Sequence, residues 1–575
     1  MIKHTSPISG IATFNNFVAT VGYDNQIILW NSRKEPVAKA THDHLANSCS
    51  FSANGKFLLT SSSDYTARLF SIPELKLISV FSEQEDDVEM SAFHPKLELV
   101  ATASRDHNVR VYNFEGKLLK TFKGHTSDVI SVTWNTLGNE LITTSDDGTI
   151  RVWNLDNENL NKIISQDSME TDSLVIIDSE TYIAGNDNGE ILYINQGNIE
   201  VIKAHTAGIK KVIYDSHTRC VITMSYDRTC TLWDLSKNNT IEKICIIQLP
   251  SIVWPRAAAF LNNQTIVFAT FGSSFASYSI KDNLWDLSNI DPTDGLNAIS
   301  HFQNSIYSIG DSGIGFKDNK PLTQIGSLCN FIVVGNGCLI TGGQSGKVFN
   351  LTSGEEIFQH HSPLNCGSSF IYNKNNYFLV GTYTGEILLF KEDMKQINFI
   401  KKLKIFKNAV KSLTTNPSGV FTVCATGEVN CILVNDLFNK TSDLSIKSQH
   451  GHEKIANTCC TINDNLFASS GRDLRLRFWS IQNKILAQKD NLSTPFKHSI
   501  KTMCSFENNR YIALGSYDGC IAIYEVISKK WSQIKKISQA GISNLCSYEN
   551  YFLASSYNGK TYTLSIKDFN YDYSN

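Results

Sequence analysis

The sequence predicts an all-β chain built from many copies of one small sheet, on three observations. The first is recurrence. The stretch GHTSDVISVTWNTLGNELITTSDDGTIRVWNL, residues 124 to 155, places an acid at Asp147 and an aromatic ring six positions later at Trp153. The same frame returns in GYDNQIILW (Asp24, Trp30), SSDYTARLF (Asp64, Phe70), SRDHNVRVY (Asp106, Tyr112), NDNGEILY (Asp187, Tyr193), SYDRTCTLW (Asp227, Trp233), GRDLRLRFW (Asp473, Trp479), SYDGCIAIY (Asp518, Tyr524) and SYNGKTYTL (Asn558, Leu564). The second is local pattern: VISVTW, ELITTS and TIRVWNL are β-branched and aromatic runs separated by the turn signals LGN and DDG, and NLNKIIS supplies a fourth run. The third is composition, 42% hydrophobic with no long low-complexity segment, which is that of a globular chain.

Between the clear copies lie degraded ones: FGSSFASY near Gly272, GDSGIGF at Asp311, QSGKVFNL at Ser345, YTGEILLF at Thr384 and ATGEVNCI at Thr426. Together they make about fourteen units at a period of roughly 40 residues. One four-stranded unit cannot bury both of its faces, whereas packing units radially around an axis buries all of them. A single ring of fourteen would exceed the usual four to eight, so two rings are expected. Seven units run from Asp24 to the Gly272 region and seven from Asp311 to Asn558, which places the boundary near SNIDPTDGLN, residues 288 to 297. The expected domains are therefore 1–290 and 291–575, the second with the more degenerate repeats. Only MIK precedes His4, too little for a strand, and the tail KDFNYDYSN is a candidate for the last outer strand.

These units resemble the WD40-repeat family along nearly the whole chain. The resemblance implies two tandem seven-bladed WD40 β-propellers. It also implies a hydrogen-bonded brace inside each blade, made of the His of a Gly-His dipeptide, a Ser or Thr on the second strand, the turn Asp and the third-strand Trp. Complete sets are expected at His125, Ser145, Asp147, Trp153 and at His205, Ser225, Asp227, Trp233. His4 with Asp24 and Trp30, His42 with Asp64, and His452 with Asp473 and Trp479 are fragments of it, and the third unit has Gln84 in place of the His. A Ser-His-Asp hydrolase would use the same residue types, but a nucleophile needs one privileged site and these residues recur at a fixed period.

No catalytic constellation remains, and no cofactor-binding or metal-ligand spacing stands out. None of the fourteen cysteines forms a paired C-x-x-C pattern, and reduced buried thiols fit a cytoplasmic protein. GGQSGKVF lacks the first glycine and the final Ser or Thr of a phosphate loop. A net charge of −3 makes nucleic acid an unlikely partner, and KKLKIFK (401–407) and KKWSQIKK (529–536) read as solvated outer strands. MIKHTSPISG has no apolar core of a signal peptide, and no run is long enough to insert in a membrane.

The family resemblance implies a non-enzymatic scaffold that binds other proteins on a propeller face. Two features are candidates for the contact. The residue before the turn acid is Tyr23, Arg105, Tyr226, Tyr383, Arg472, Tyr517 or Tyr557 in about half the units, and Tyr and Arg dominate many interfaces. The segment EQEDDVE offers Glu83, Glu85, Asp86, Asp87 and Glu89 where the third unit has lost its His, which suits a basic binding segment. A narrower likeness sits in HTSPISGIATF, GYDNQIILWN and HDHLANSCSFS. These are similar to bacterial WD-repeat proteins of toxoflavin-type biosynthetic clusters, and that likeness implies the alternative of a catalytic, substrate-holding or enzyme-assembly role.

Overall fold

The structure, a computed structural model, describes residues 2–156, 159–165, 170–235, 240–393, 396–439, 445–482 and 484–569. It divides into two compact units, Met1–Thr293 and Asp294–Asn575. Among the described residues the first unit holds seven four-stranded antiparallel sheets at 8–41, 46–81, 88–122, 129–165, 171–203, 209–248 and 253–286. The second holds sheets at 296–324, 329–359, 364–404, 410–450, 456–493, 500–536 and 542–565. Successive strands pair with one another throughout, so every sheet is a meander.

The strands bury both faces because consecutive side chains point opposite ways and both sets are apolar. Leu58 enters the cluster shared with the first sheet, and Leu59 enters the cluster shared with the third. The adjacent Cys459 and Cys460 separate likewise, one toward the eleventh sheet and one toward the thirteenth. In the first unit a further cluster joins the seventh sheet back to the first, with Ile8, Ile11 and Trp30 against Ala257, Val267 and Phe275. In the second unit Ile299 N–H donates to Asn544 Oδ1 at 3.2 Å, linking the eighth sheet to the fourteenth. None of the fourteen cysteines forms a disulfide.

The first sheet is complete within 8–41, and the segment before it is anchored by His4 N–H donating to Ser273 O at 3.0 Å. The fourteenth sheet has three described strands. Of the tail expected to extend it, 570–575 lie outside the described residues, while Phe569 is buried against Phe552. One element was not expected from sequence: a short helix, Val434–Phe438, precedes the outer strand of the eleventh sheet and stacks Phe438 on Tyr372 with ring centroids 4.9 Å apart. Both basic runs contribute to outer strands, Gln396–Lys404 and the pairs Lys530–Trp531 and Lys535–Lys536. Among the described residues no helix is long and apolar enough to cross a membrane.

Candidate functional site

The brace of the fourth sheet shows what the recurrent His, Asp and Trp do. His125 Nδ1 lies 2.8 Å from Asp147 Oδ2, and His125 Nε2 lies 2.8 Å from Thr143 Oγ1. The Trp153 indole N–H donates to the same Thr143 oxygen at 3.0 Å. An indole only donates, so the Thr143 hydroxyl accepts from Trp153 and gives its hydrogen to Nε2, which leaves Nδ1–H for the carboxylate. The hydroxyl of the brace is therefore Thr143 and not the expected Ser145. Trp153 pairs with Leu141, and its long ring reaches diagonally to the next same-face residue, Thr143. Ser145 lies at the strand end, where its oxygen accepts Asp147 N–H at 3.1 Å and its hydroxyl donates to Ser127 O. The sixth sheet repeats the correction: Thr223 joins His205 and Trp233, and Ser225 caps the turn at Asp227.

Two of the three braces expected to be fragments are whole, and the third joins His42, Thr60 and Asp64 with Phe70 in place of the indole. His4, Thr20, Asp24 and Trp30 form one, and His452, Ser469, Asp473 and Trp479 another. In the third sheet the brace is rebuilt rather than lost. Gln84 Nε2 donates to Thr102 Oγ1 at 3.0 Å and to Tyr112 OH at 3.1 Å, and Arg110 pairs with Asp106 at 2.7 Å. The tenth sheet, which has no acid at its turn, moves it two positions on: His360 Nε2 meets Glu386 Oε2 at 2.9 Å, and Lys402 holds the other oxygen at 2.8 Å. Together with exposed His361 these offer three donor atoms within 4.8 Å of one another.

Burial and hydrogen bonding set the protonation of the fourth sheet's brace. Burial pushes the His125 imidazole below its ordinary value of 6.5 even though Asp147 opposes the shift. Burial would raise Asp147, but the hydrogen bonds from His125 and Thr149 outweigh it and hold the carboxylate well below its usual range. The result is a neutral imidazole on an ionised acid, with a hydroxyl that is fully buried and occupied. It does not serve as a nucleophile.

The left-handed turn residue supplies the register of the weaker units. Gly148 follows Asp147 with φ +76°, and Gly189 has the same φ, so Asn188 is the turn residue of the fifth sheet and Asp187 stands one position before it. Ile194 pairs with Tyr182 as Trp153 pairs with Leu141. Gly313 (φ +66°) places Asp311 likewise one position before its turn.

A second recurrent feature carries the site. Near the start of nearly every inner strand the register slips by one residue, as between Val88 and Met90 or Ile209 and Lys211. Such a bulge re-aims the extra side chain. Where that residue is Asn it stitches neighbouring sheets: Asn47 donates to Val88 O at 3.0 Å, Asn330 to Leu364 O at 2.8 Å, Asn365 to Val410 O at 2.8 Å and Asn457 to Ile500 O at 2.8 Å. Five departures are charged, Glu89, Asp172 and Lys210 in the first unit and Lys411 and Lys501 in the second, while Ser9, Ile130 and Ser543 are uncharged.

In the first unit the charged bulge residues meet the residues that precede the turns. Arg105 bonds Glu89 and lies 2.5 Å from Asp128, with its side chain only 12% exposed. Arg105 is buried and not an exposed contact, because two carboxylates offset the cost of burying it. Arg256 of the seventh sheet reaches Glu89 of the third at 3.3 Å, so side chains of non-adjacent sheets converge here. Lys210 pairs with both Asp172 and Asp187 and stands 5.3 Å from the Tyr226 ring centroid. Tyr23 meets Trp254 edge-on at 5.3 Å. Asp146 has no side-chain hydrogen bond among the described residues. Burial, with the Asp128 charge next, holds Asp146 well above the usual carboxylate range, and burial with Asp146 and Asp187 does the same for Glu170. Burial and Asp187 also raise Asp172, against the pull of Lys210.

The acidic loop only partly joins this network. Glu83 and Glu85 are exposed, Asp86 and Asp87 half-buried, and Glu89 buried under Arg105. Asp87 accepts the Ser63 hydroxyl at 2.9 Å. The other tyrosines and arginine before turns are half-buried: Tyr383, Arg472, Tyr517 and Tyr557, the last two stacked at 6.2 Å. Asp128, Asp146, Glu170, Asp172, Lys210 and Arg256 were not singled out in the sequence, although all five charged bulge residues stand second in their inner strands.

A family model for the WD domain, G-beta repeat, matches residues 35–71, 75–113, 116–154 and 197–234. WD repeat-containing protein 37 of Homo sapiens is 24% identical over 213 residues, 34% of this chain and 42% of that protein. COMPASS component SWD3 of Saccharomyces cerevisiae is 31% identical over 153 residues, 24% of this chain and 49% of the relative. Nuclear distribution protein PAC1 of Coccidioides posadasii is 28% identical over 176 residues, 27% of this chain and 36% of the relative. Each match spans less than half of the relative's own length, and these relatives lend no support to the likeness to biosynthetic-cluster proteins. Meandering sheets, buried braces and matched repeats agree: the chain carries WD40 repeats and is similar to WD-repeat proteins.

Proposed function

We propose that the chain is a non-enzymatic protein-interaction scaffold of two seven-bladed WD40 propellers, and that the polar network of the first takes a basic segment of a partner. Seven sheets in each unit and the contact between first and last support the closed rings. Similarity to WD-repeat proteins supports a general role in binding other proteins, and fourteen cysteines without a disulfide support a cytoplasmic setting. The observation that carries the basic partner is the charge balance of the network. Asp128, Asp146, Glu170, Asp172 and Asp187 crowd one another, with Arg105, Lys210 and Arg256 as the cations set among them. Asp146, Glu170 and Asp172 are held above their usual range by burial and by one another, so a lysine or arginine brought among them relieves that repulsion.

A lysine-rich peptide titrated into the intact chain tests this reading. Asp146→Asn with Glu170→Gln is expected to weaken binding at least tenfold and to flatten its salt dependence, while the melting temperature holds or rises. Equal affinity in the variant and the wild type would remove the network from the interface.

A further inference from the structure

The bulge position that holds Glu89, Asp172 and Lys210 in the first unit has a different population in the second. Asn297, Asn330, Asn365 and Asn457 occupy it in four sheets, and each donates its side-chain amide to a carbonyl of the next sheet. The eleventh and thirteenth sheets carry Lys411 and Lys501 instead, at the register slips Val410 to Ser412 and Ile500 to Thr502. Neither lysine makes the stitch, and neither ammonium has a hydrogen bond or ion pair among the described residues, although both are half-buried. Lys501 Nζ stands 5.9 Å from the centroid of the Tyr517 ring. Lys210 at the equivalent place in the first unit is clamped by Asp172 and Asp187. The contrast is specific: one repeat position, one residue type, carboxylates supplied in one unit and withheld in the other.

Leaving two half-buried ammonium groups without counter-charge costs stability, because each is partly desolvated and nothing offsets it. Burial lowers both lysines, and the positive charge of Lys501, on a non-adjacent sheet, lowers Lys411 further. The repeat has a cheaper solution at this position, the stitching Asn, and uses it four times in the same unit. A local rule broken twice by an unpaired charge in one unit marks a site rather than a packing accident.

We propose that Lys411 and Lys501 form an oxyanion site in the second unit that takes a doubly charged group of the phosphate class, with Tyr517 at its edge. Two point charges on flexible stems suit a tetrahedral dianion, which needs no planar fork. The group reaches the site free or carried on another molecule, and the chemistry of recognition is the same. This site is independent of the acidic network of the first unit, so either reading stands if the other fails.

The test uses inorganic phosphate with the intact chain at constant ionic strength, balanced with chloride, and follows both 31P line broadening and the melting temperature. Wild type is expected to show saturable broadening and a rise of several degrees. Lys411→Asn with Lys501→Asn places the repeat's own residue at both positions. It is expected to melt at or above the phosphate-free wild type and to lose at least tenfold in phosphate affinity. Saturation by phosphate but not by a phosphoserine-containing peptide assigns the site to the free ion, and tighter saturation by the peptide assigns it to a carried group. Absence of saturable binding, or binding equal in the double variant, overturns the proposal. A double variant that melts well below wild type without phosphate also overturns it, since the lysines would then be structural.

Discussion

At the scale of single residues, Thr143 and Ser145 show how little separates a brace from a cap. They lie two positions apart on the same strand, yet only Thr143 stands under both the Trp153 indole and the His125 ring. Thr143→Val keeps the shape and removes the oxygen, leaving an indole N–H and an imidazole nitrogen unsatisfied in a buried place. It should cost about 1–3 kcal/mol, as Asp147→Ala should, whereas Ser145→Ala should cost about 0.5–1. Denaturant titrations that rank Ser145→Ala as the worst of the three would return the brace to Ser145. Arg105→Ala belongs with the large effects: it strips Glu89 and Asp128 of their partner and should cost about 3–5 kcal/mol. A variant that folds with wild-type stability and merely dissociates faster from a partner would place Arg105 at an exposed contact after all.

At the scale of the element, each braced sheet is a small pH-dependent unit. His42, His125 and His452 are lowered below 6.5, first by burial. Below that pH the unfolded chain takes up protons that the folded imidazoles refuse. Their contribution is therefore complete above about pH 6.5 and declines as the pH falls from there toward the folded values. The depressed carboxylates extend the loss below about 3.8: Asp64 and Asp147 below the usual range and Asp473 at about 2, each through its histidine despite burial. The melting temperature should drop between pH 7 and pH 5.5, and flat behaviour across that interval would refute neutral imidazoles. The stitches are a second device of the element. Asn365→Ala removes one bond to Val410 O and should cost about 1 kcal/mol.

At the scale of the whole molecule, the division between Thr293 and Asp294 separates two bodies, each with its own apolar clusters. Residues 1–293 and 294–575 expressed separately should each show a cooperative melt and the β-sheet circular dichroism of the intact chain. A fragment that remains unfolded would mean that one unit depends on the other. The acidic network and the lysine pair lie one in each unit, so separated units should retain the peptide response and the phosphate response respectively.

The repeat itself was legible without coordinates. An acid or small turn residue six positions before an aromatic ring, the intervening β-branched runs and the Asp-Gly turns fix where strands begin and end, because a strand alternates with period two and a left-handed turn wants glycine. That was enough for fourteen units, their four-stranded meanders and the structural reading of His125, Asp147 and Trp153. Three things waited for the tertiary structure. One was the choice between same-face hydroxyls such as Thr143 and Ser145, which depends on a diagonal reach of an indole across strands. Another was the one-residue register of Asp187 and Asp311, which φ at Gly189 and Gly313 decides and a string of letters leaves open. The last was which charges meet. Glu89 and Arg256 are 167 positions apart yet meet at 3.3 Å, and bulges turn Lys411 and Lys501 out of inner strands 90 positions apart in the chain. Sequence spacing encodes the period of the sheet, whereas the closing of sheets upon one another brings distant positions within the few ångströms over which charges and hydrogen bonds act.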